Sequence, residues 1–165
     1  MATEPVVRAA LADGKQVAVP VVVAAGRRLR FALIEDYDRE LRPGYRGILE
    51  PGPEARRLVD AGRIDCYIIP GVAFDFRGFR LGRGLGYYDR ALAGVKGPPA
   101  PVRPAGGGRT ERPTICALAY ELQVVERLPV ESHDVPVDYI VTEKRVIECK
   151  GGLKKQKRIR KEKAD

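Results

Sequence analysis

Short apolar runs that alternate with more polar segments constrain the fold of this chain more than any other feature of its sequence. Residues 3–13 predict a helix, because Thr3 suits the N-cap, Pro5 suits the first turn and an apolar face follows. Pro20 places the first strand-like run at a sheet edge or at a bend, since proline donates no ladder hydrogen bond. The alternation of helix and strand predicts an α/β fold. Strands are predicted at 16–23, 29–35, 65–75, 114–120, 138–143 and 146–149, a loop entering a helix over 44–60, a helix from 87, and a short helix or turn at 121–129.

The length and composition are typical of one soluble globular domain. The chain has 165 residues, of which 44% are hydrophobic and 32% are charged, enough to bury a sizeable core. No apolar run approaches the roughly 18 residues that a membrane span needs. Residues 1–15 are polar and acidic where a signal peptide would carry a positive region and an apolar stretch. We therefore expect a cytoplasmic protein with no membrane partner.

The net charge of +8 is concentrated near the C-terminal end of the sequence. Residues 151–165 carry +5 of that charge, which leaves residues 1–150 only mildly basic. Such a run predicts a disordered tail, either solvated without a dedicated partner or weakly attracted to RNA and other polyanions. Residues 94–113 are rich in proline and glycine and predict a mobile surface loop. We assign residues 1–150 to one α/β domain and residues 151–165 to the tail.

The three cysteines, Cys66, Cys116 and Cys149, are far apart in the sequence and odd in number. Their spacing fits neither a zinc site nor a disulfide framework. Unpaired cysteine is among the most frequently buried residue types. The sequence therefore predicts buried free thiols, with a redox role as the less favoured alternative.

A run of alternate glycines, RLGRGLGYYDR over residues 80–90, predicts either a phosphate-binding loop or a flexible turn. Glycine permits positive φ and lets a ligand approach main-chain N–H donors, and the flanking arginines supply a positive field. The run matches neither the dinucleotide-binding fingerprint, because Tyr87 stands where a third glycine would be, nor the lysine-containing P-loop. Its place between a predicted strand and a predicted helix favours phosphate binding.

Carboxylates near this run are candidates for a metal site. Asp89 directly follows the glycines, and Asp134 and Asp138 precede a predicted strand. Two carboxylates that converge on nucleotide phosphates suit Mg²⁺, which prefers hard oxygen ligands and keeps several waters. The alternatives are turn capping for Asp134 and an exposed first-turn helix position for Asp89. The single histidine, His133, is interpreted as a loop residue rather than a base.

Residues 70–92, PGVAFDFRGFRLGRGLGYYDRAL, closely resemble the signature segment of the 5-formyltetrahydrofolate cyclo-ligases, also called methenyltetrahydrofolate synthetases. Residues 14–22, 47–51 and 117–143 are similar to other segments of that family in the same order. Several independent segments in register make a chance match improbable. Only the tail and the loop rich in proline and glycine fall outside the resemblance.

The resemblance implies a fold and a reaction. The fold would be a single-domain, three-layer α/β/α sandwich of the NagB/RpiA-like type, with a mostly parallel or mixed central sheet. ATP would activate the formyl oxygen of 5-formyltetrahydrofolate, after which ring closure by N10 expels phosphate and gives 5,10-methenyltetrahydrofolate. Phosphoryl transfer depends mainly on positioning and charge stabilisation, which suits a site of backbone donors, arginines and magnesium.

The resemblance also implies roles for individual residues. Asp89 and Asp134 would ligate Mg²⁺, and Arg83 and Tyr87 would be catalytic. Phe74 and Tyr120 are candidates to pack near the pterin ring, although core packing is favoured for each. The ATP phosphates would contact Arg80, Leu81, Gly82, Arg83, Gly84, Leu85, Gly86, Tyr87 and Tyr88, and the reduced folate would contact Arg83, Gly84, Leu85, Gly86 and Tyr87.

One departure from the family pattern affects the functional expectation. Thr3 matches the threonine of the family's E-x-x-T motif, whose glutamate contacts folate, and that glutamate would fall just before Met1. A basic helix that helps to bind ATP would precede it. We therefore expect weak ATP binding, slow turnover and self-association through an uncovered sheet edge or apolar face. The alternative is a non-catalytic nucleotide-, folate- or RNA-binding protein on the same scaffold.

Overall fold

The computed structural model of the chain describes residues 3–23, 28–93 and 112–149. The predicted tail and all but the last two residues of the predicted loop at 94–113 lie outside these described ranges. In the described part, no helix is both long enough and apolar enough to cross a membrane.

The described elements are three helices, twelve short strands and four short 3₁₀ turns. The helices are α1 (Glu4–Ala12), α2 (Tyr37–Glu40) and α3 (Tyr87–Leu92). The strands are β1 (Val17–Val23), β2 (Arg28–Ile34), β3 (Leu41–Pro43), β4 (Leu49–Pro51), β5 (Arg57–Val59), β6 (Cys66–Ile69), β7 (Ala73–Asp75), β8 (Arg80–Leu81), β9 (Thr114–Leu118), β10 (Val124–Val125), β11 (Tyr139–Val141) and β12 (Val146–Glu148). The 3₁₀ turns are Tyr45–Gly47, Pro53–Ala55, Ala61–Arg63 and Glu121–Gln123.

The N-terminal third forms a helix and an antiparallel sheet. Strand β1 pairs with β2, and β2 pairs with β5, which places β1 and its Pro20 at the edge as the sequence predicts. Helix α1 begins after Thr3, whose side chain makes no capping hydrogen bond. The helix packs Val7 and Leu11 against a small cluster of buried residues built around Ile34. Helix α1 thus covers one part of this sheet.

A second sheet has the strand order β12-β11-β9-β6, in which β6, β9 and β11 are parallel and β12 is antiparallel. One face of this sheet enters the main core through Tyr67, Ile69 and Ile115, all at most 4% exposed. The Tyr67 ring meets the Phe31 ring edge to face at a centroid distance of 5.5 Å, which joins the two sheets. Ile68, on the opposite face, is 46% exposed.

The apolar run at 65–75 differs from its prediction in two ways. It forms two strands, β6 and β7, because the chain turns at Pro70 and Gly71. It is also not covered on both faces, since burial alternates along β6. Strand β7 instead joins a small third sheet between β10 and β8. Its Phe74 is fully buried in the main core.

The prediction of a helix towards the end of residues 44–60 is wrong. Residues Pro53–Ala55 form one 3₁₀ turn, and the following residues form β5. Leu58 of β5 pairs with Ala32 of β2, so hydrogen bonding to an existing sheet outweighs local helix propensity. The described residues as a whole have a mixed α/β fold whose sheets combine parallel and antiparallel strands.

Candidate functional site

The glycine loop, residues 82–86, connects β8 to α3 at the surface. Gly84 has φ +76° and Gly86 has φ +60°, and side chains other than glycine rarely adopt such values. Gly82, Arg83 and Gly84 are exposed. The loop therefore presents its backbone to solvent in a conformation that requires glycine at two of its positions.

Gly82 requires a different explanation. A Cβ atom added there would meet no other atom within 4 Å, and its φ lies outside the positive range. Neither packing nor backbone strain within the described residues therefore explains a glycine at this position. A ligand that approaches the main chain closely would explain it, because a side chain would occupy the space of that ligand.

Two side chains of α3 line the end of the loop. Arg90 donates a hydrogen bond of 2.6 Å to the carbonyl oxygen of Leu85, which fixes the loop to the first turn of the helix. The Arg90 guanidinium also lies 5.8 Å from the centre of the Tyr87 ring. This contact is within the range of a cation–π interaction. Arg90 therefore organises the loop, whereas the sequence pattern indicated only that it adds to the positive field.

Arg80 is the most buried charged group beside the glycine loop. Its side chain is 5% exposed, forms an ion pair with Asp89, and donates a hydrogen bond of 2.8 Å to the carbonyl oxygen of Val135. Burial lowers the pKa of the Arg80 guanidinium, whereas the negative charges of Asp89 and Asp134 raise it. The guanidinium remains charged, because the ordinary pKa of arginine lies far above neutrality. Arg80 therefore links β8, α3 and the segment that carries Asp134.

The predicted carboxylates have different environments. Asp89 pairs with Arg80, and its side chain is 27% exposed, so it is not a fully exposed helix residue. Asp134 accepts a hydrogen bond of 2.8 Å from the backbone N–H of Glu131, which is the capping role foreseen as its alternative. Asp138 is buried and accepts a hydrogen bond of 2.8 Å from Arg112, so its role is structural.

The residues present fit magnesium only in part. Asp89 and Asp134 both act electrostatically on Arg80, so the two carboxylates lie in one region. Over residues 3–23, 28–93 and 112–149, no group of three or more His, Cys, Asp or Glu side chains forms a metal cluster. Two carboxylates completed by phosphate oxygens and water nevertheless suit Mg²⁺, which seldom uses an all-protein cage.

Asp75 supports the candidate site, although the sequence analysis did not identify it. Its buried carboxylate accepts hydrogen bonds from the backbone N–H groups of Arg77, Phe79 and Leu128, at 2.9, 3.1 and 3.1 Å. It also pairs with the Arg77 guanidinium at 2.6 Å. These bonds fix the turn between β7 and β8, and therefore the start of the strand that carries Arg80. The sequence did contain a signal for this role: Asp75 lies at the end of an apolar run, and Arg77 follows two residues later.

The predicted aromatic residues divide between core and surface. Phe74 is fully buried in the main core, which confirms the alternative of core packing. Tyr120 is 44% exposed, so core packing does not account for it. Tyr88 packs against the core, and burial raises the pKa of its phenol group. His133 has a side chain that is 67% exposed, as expected of a loop residue.

An exposed glycine loop beside a buried arginine suits the binding of anionic groups, so the fold and site define a candidate anion-binding α/β protein. Comparison with known proteins narrows this class, because a model described as the 5-formyltetrahydrofolate cyclo-ligase family matches residues 1–143. The chain belongs to that family. The match confirms the resemblance drawn from the sequence, and the family is one of ligases.

Curated relatives agree with the family match. The 5-formyltetrahydrofolate cyclo-ligase of Escherichia coli strain K12 is 34% identical over 148 residues, which cover 88% of this chain and 73% of that protein. The Saccharomyces cerevisiae protein of the same name is 28% identical over 155 residues, which cover 84% of this chain and 68% of that protein.

Solved structures agree with the fold. The methenyltetrahydrofolate synthetase of Aquifex aeolicus has a TM-score of 0.67 and 31% identity, and the match covers 97% of this chain and 71% of that chain. The 5,10-methenyltetrahydrofolate synthetase of Mycoplasma pneumoniae has a TM-score of 0.55 and 22% identity, and the match covers 82% of this chain and 60% of that chain. At this identity the match supports the fold alone. The fold of the described residues is therefore that of known cyclo-ligases.

Proposed function

We propose that the chain catalyses the ATP- and Mg²⁺-dependent conversion of 5-formyltetrahydrofolate to 5,10-methenyltetrahydrofolate. The observation that carries this proposal is the family match across residues 1–143, which includes the whole glycine loop and both candidate carboxylates. In the proposed reaction a phosphoryl group of ATP moves to the formyl oxygen. N10 then attacks the activated formyl carbon, and phosphate leaves as the ring closes.

The ATP phosphates are proposed to lie along the glycine loop. Exposed main-chain N–H groups and the open space at Gly82 support this assignment, because phosphate oxygens need close approach to donors. Arg80 would add a fixed positive charge from within the fold. The proposed ATP-contacting set is Arg80, Leu81, Gly82, Arg83, Gly84, Leu85, Gly86, Tyr87 and Tyr88.

Arg83 and Tyr87 are the proposed catalytic residues. Arg83 is exposed on the loop, so its guanidinium is free to reach both the transferring phosphoryl group and the formyl oxygen. Its charge would stabilise negative charge as it develops on those oxygens. Tyr87 is half-buried beside Arg90 and would present its ring or hydroxyl to the folate. The proposed folate-contacting set is Arg83, Gly84, Leu85, Gly86 and Tyr87.

Magnesium is proposed to be held by Asp89 and Asp134 together with phosphate oxygens and water. When bound, the ion would neutralise phosphate charge. Asp89 also pairs with Arg80 in the structure. Binding of Mg-ATP would therefore shift the Arg80 guanidinium from Asp89 towards the phosphates. Such an exchange keeps the buried arginine paired with an anion in both states.

The remaining assignments are proposed on the same basis. The small-molecule partners would be ATP and a reduced folate, and the compartment would be the cytoplasm. The finer architecture would be the three-layer, NagB/RpiA-like sandwich, which the parallel strands β6, β9 and β11 support. Self-association stays a prediction. A weak contact of residues 151–165 with RNA also stays a prediction, because those residues lie outside the described ranges.

The proposed function is tested by following the absorbance of methenyltetrahydrofolate with the purified chain in enzyme excess. We expect product to form only when 5-formyltetrahydrofolate, ATP and Mg²⁺ are all present. Arg83→Ala should abolish product formation, whereas Arg39→Ala, at an exposed arginine remote in sequence from the loop, should leave it unchanged. ATP binding without any product from the wild-type chain would favour the non-catalytic alternative.

A further inference from the structure

The exposed side chain of Arg90 reaches back from α3 over the end of the glycine loop. The backbone N–H of Arg90 donates a hydrogen bond of 3.1 Å to the carbonyl oxygen of Gly86, which places the two residues one helical turn apart. Side chains of a helix point towards its N-terminus, so the guanidinium lies over the preceding turn. There it donates the hydrogen bond of 2.6 Å to the carbonyl oxygen of Leu85. A side chain of α3 thus holds one particular carbonyl group of the loop.

Gly86 leaves the space that this contact needs. A Cβ atom added at Gly86 would lie 2.9 Å from Nη1 of Arg90, which is closer than Cβ atoms ordinarily approach another atom. The guanidinium is the far end of a flexible side chain, so a larger residue at position 86 would displace Arg90 from the Leu85 carbonyl. The φ of +60° at Gly86 also favours glycine. Glycine at this position therefore serves the arginine contact as well as the backbone conformation.

The hydrogen bond to Leu85 also sets the direction of a backbone donor. None of the described peptide bonds is cis, and the C=O and N–H of a planar trans peptide point in opposite directions. The Leu85 carbonyl oxygen faces Arg90, so the N–H of Gly86, in the same peptide group, points away from Arg90. In the described part of the chain, this N–H donates a hydrogen bond to no acceptor. The donor is therefore available to a ligand on the side of the loop opposite Arg90.

The loop by itself would not hold this peptide group in one orientation. Gly84 and Gly86 flank Leu85, and glycine adopts positive and negative φ about equally well. Rotation of the peptide group would exchange the directions of its C=O and its N–H. A phosphate beside the loop would then face a carbonyl oxygen, which repels it, instead of an N–H donor. The guanidinium opposes this rotation because it attracts the carbonyl oxygen from the other side.

We propose that Arg90 is a positioning residue that aims the Gly86 N–H at the ATP phosphates and holds the Tyr87 ring beside them. The guanidinium lies 5.8 Å from the centre of that ring while it donates to Leu85, so one planar group contacts both parts of the site. The inference rests on the proposed function, since it concerns the same loop. Arg90 acts through the peptide group and the ring, and its contact with substrate is not required.

The test compares Arg90→Ala with Arg42→Ala, a matched control on β3. Arg42 is also exposed, and it donates a hydrogen bond of 3.0 Å to the backbone carbonyl oxygen of Asp38. Calorimetric titration should show that Arg90→Ala binds Mg-ATP about 10-fold more weakly than the wild type, as the loss of one hydrogen bond to a charged group predicts. Arg42→Ala should bind Mg-ATP as the wild type does. Urea unfolding should give both variants closely similar midpoints, because each loses contacts of one exposed side chain.

Amide NMR provides a measurement that a change in stability alone would not move. In the wild type, Mg-ATP should shift the amide resonances of Gly82 and Gly86. In Arg90→Ala at saturating Mg-ATP, the Gly82 resonance should still shift, whereas the Gly86 resonance should not. Arg90→Lys keeps the positive charge but lacks the planar fork, so it should bind Mg-ATP at least about 3-fold more weakly than the wild type.

The outcomes separate this inference from the function on which it rests. Wild-type affinity for Mg-ATP in Arg90→Ala, a Gly86 amide that still shifts in that variant, or full affinity in Arg90→Lys would each overturn the role of Arg90 alone. Full affinity in Arg90→Lys would mean that the charge is sufficient. If the wild-type chain bound no Mg-ATP, the proposed function would fail and the inference with it.

Discussion

At the scale of single residues, the site depends on one buried charge and one unexplained glycine. Arg80 is almost fully buried, and its guanidinium is balanced by Asp89 and by the nearby charge of Asp134. A buried cation is strongly destabilising when its partner is removed. Gly82, in contrast, has no neighbour that its missing side chain would touch. We therefore expect changes at Arg80 to affect both stability and ligand binding, and changes at Gly82 to affect ligand binding alone.

Asp89→Asn should separate metal binding from ion pairing. The variant loses a hard anionic ligand, so affinity for ATP in the presence of Mg²⁺ should fall by about 10-fold or more. Without Mg²⁺, ATP affinity should not fall, because Arg80 is released to pair with phosphate. Calorimetric titration with and without the metal measures both quantities. Equal affinities for Mg-ATP in the wild type and the variant would remove Asp89 from the metal site.

Gly82→Ala and Gly84→Ala should behave differently although both occur in one loop. Gly82→Ala should change the free energy of unfolding by less than about 0.5 kcal/mol, because its new methyl group enters open space. It should nevertheless weaken ATP binding by about 10-fold, or about 1.4 kcal/mol.

Gly84→Ala supplies the comparison for that experiment. It should lower stability by roughly 1–2 kcal/mol, because φ +76° strains a residue with a Cβ. Urea unfolding and ATP titration measure the two effects. Unchanged ATP affinity in Gly82→Ala would show that the ligand does not approach the main chain there.

At the scale of elements, the turn between β7 and β8 positions the site. Asp75 is fully buried and holds this turn through backbone donors on both sides of Gly78 and on the segment after β10. The turn orients β8, and β8 carries Arg80 into its contacts with α3. This strand of two residues is therefore fixed by hydrogen bonds at its start as well as by its pairing with β7.

Asp75→Asn should destabilise the fold by about 2–4 kcal/mol, because an amide nitrogen would face groups that already donate. Asp60→Asn is the matched control, since asparagine caps the 3₁₀ turn at Ala61–Arg63 as well as aspartate does. It should change stability by less than about 0.5 kcal/mol. Urea unfolding compares the two. If Asp75→Asn is as stable as the control, the buried carboxylate does not organise the turn.

Elements with a strong local pattern could be predicted from the sequence, and those decided by distant contacts could not. Helix α1, the β1 edge position and the start of α3 agree with their local signals. Strand β5 was missed because its pairing partner β2 lies far back in the sequence. The prediction of three buried thiols is right for Cys149 but wrong for Cys66, which is exposed, while Cys116 is partly exposed. An apolar run does not reveal which face of its sheet remains uncovered.

The glycine loop could be recognised as a candidate site because its glycine spacing is local, but its supporting contacts could not be predicted. Nothing in the sequence shows that Arg80 forms an ion pair with Asp89 rather than pointing to solvent. Nor does it show that Arg112 forms an ion pair with Asp138. Those pairings join segments that meet only in the folded chain. The sequence therefore suggested candidate ligand contacts but did not reveal the residues that hold them in place.

At the scale of the whole molecule, four small sheets and short helices of the described residues carry the glycine loop at the surface. The chain covers 73% of the length of its Escherichia coli relative, and the match includes every candidate site residue.

The central claim is that ATP activates the formyl oxygen at this loop, and isotope tracing tests it most directly. The chain, in excess over 5-formyltetrahydrofolate labelled with heavy oxygen in the formyl group, is mixed with ATP and Mg²⁺. The account predicts that each methenyltetrahydrofolate formed is accompanied by one inorganic phosphate that carries one heavy oxygen. Heavy oxygen released into water, with unlabelled phosphate, would contradict phosphorylation of the formyl oxygen.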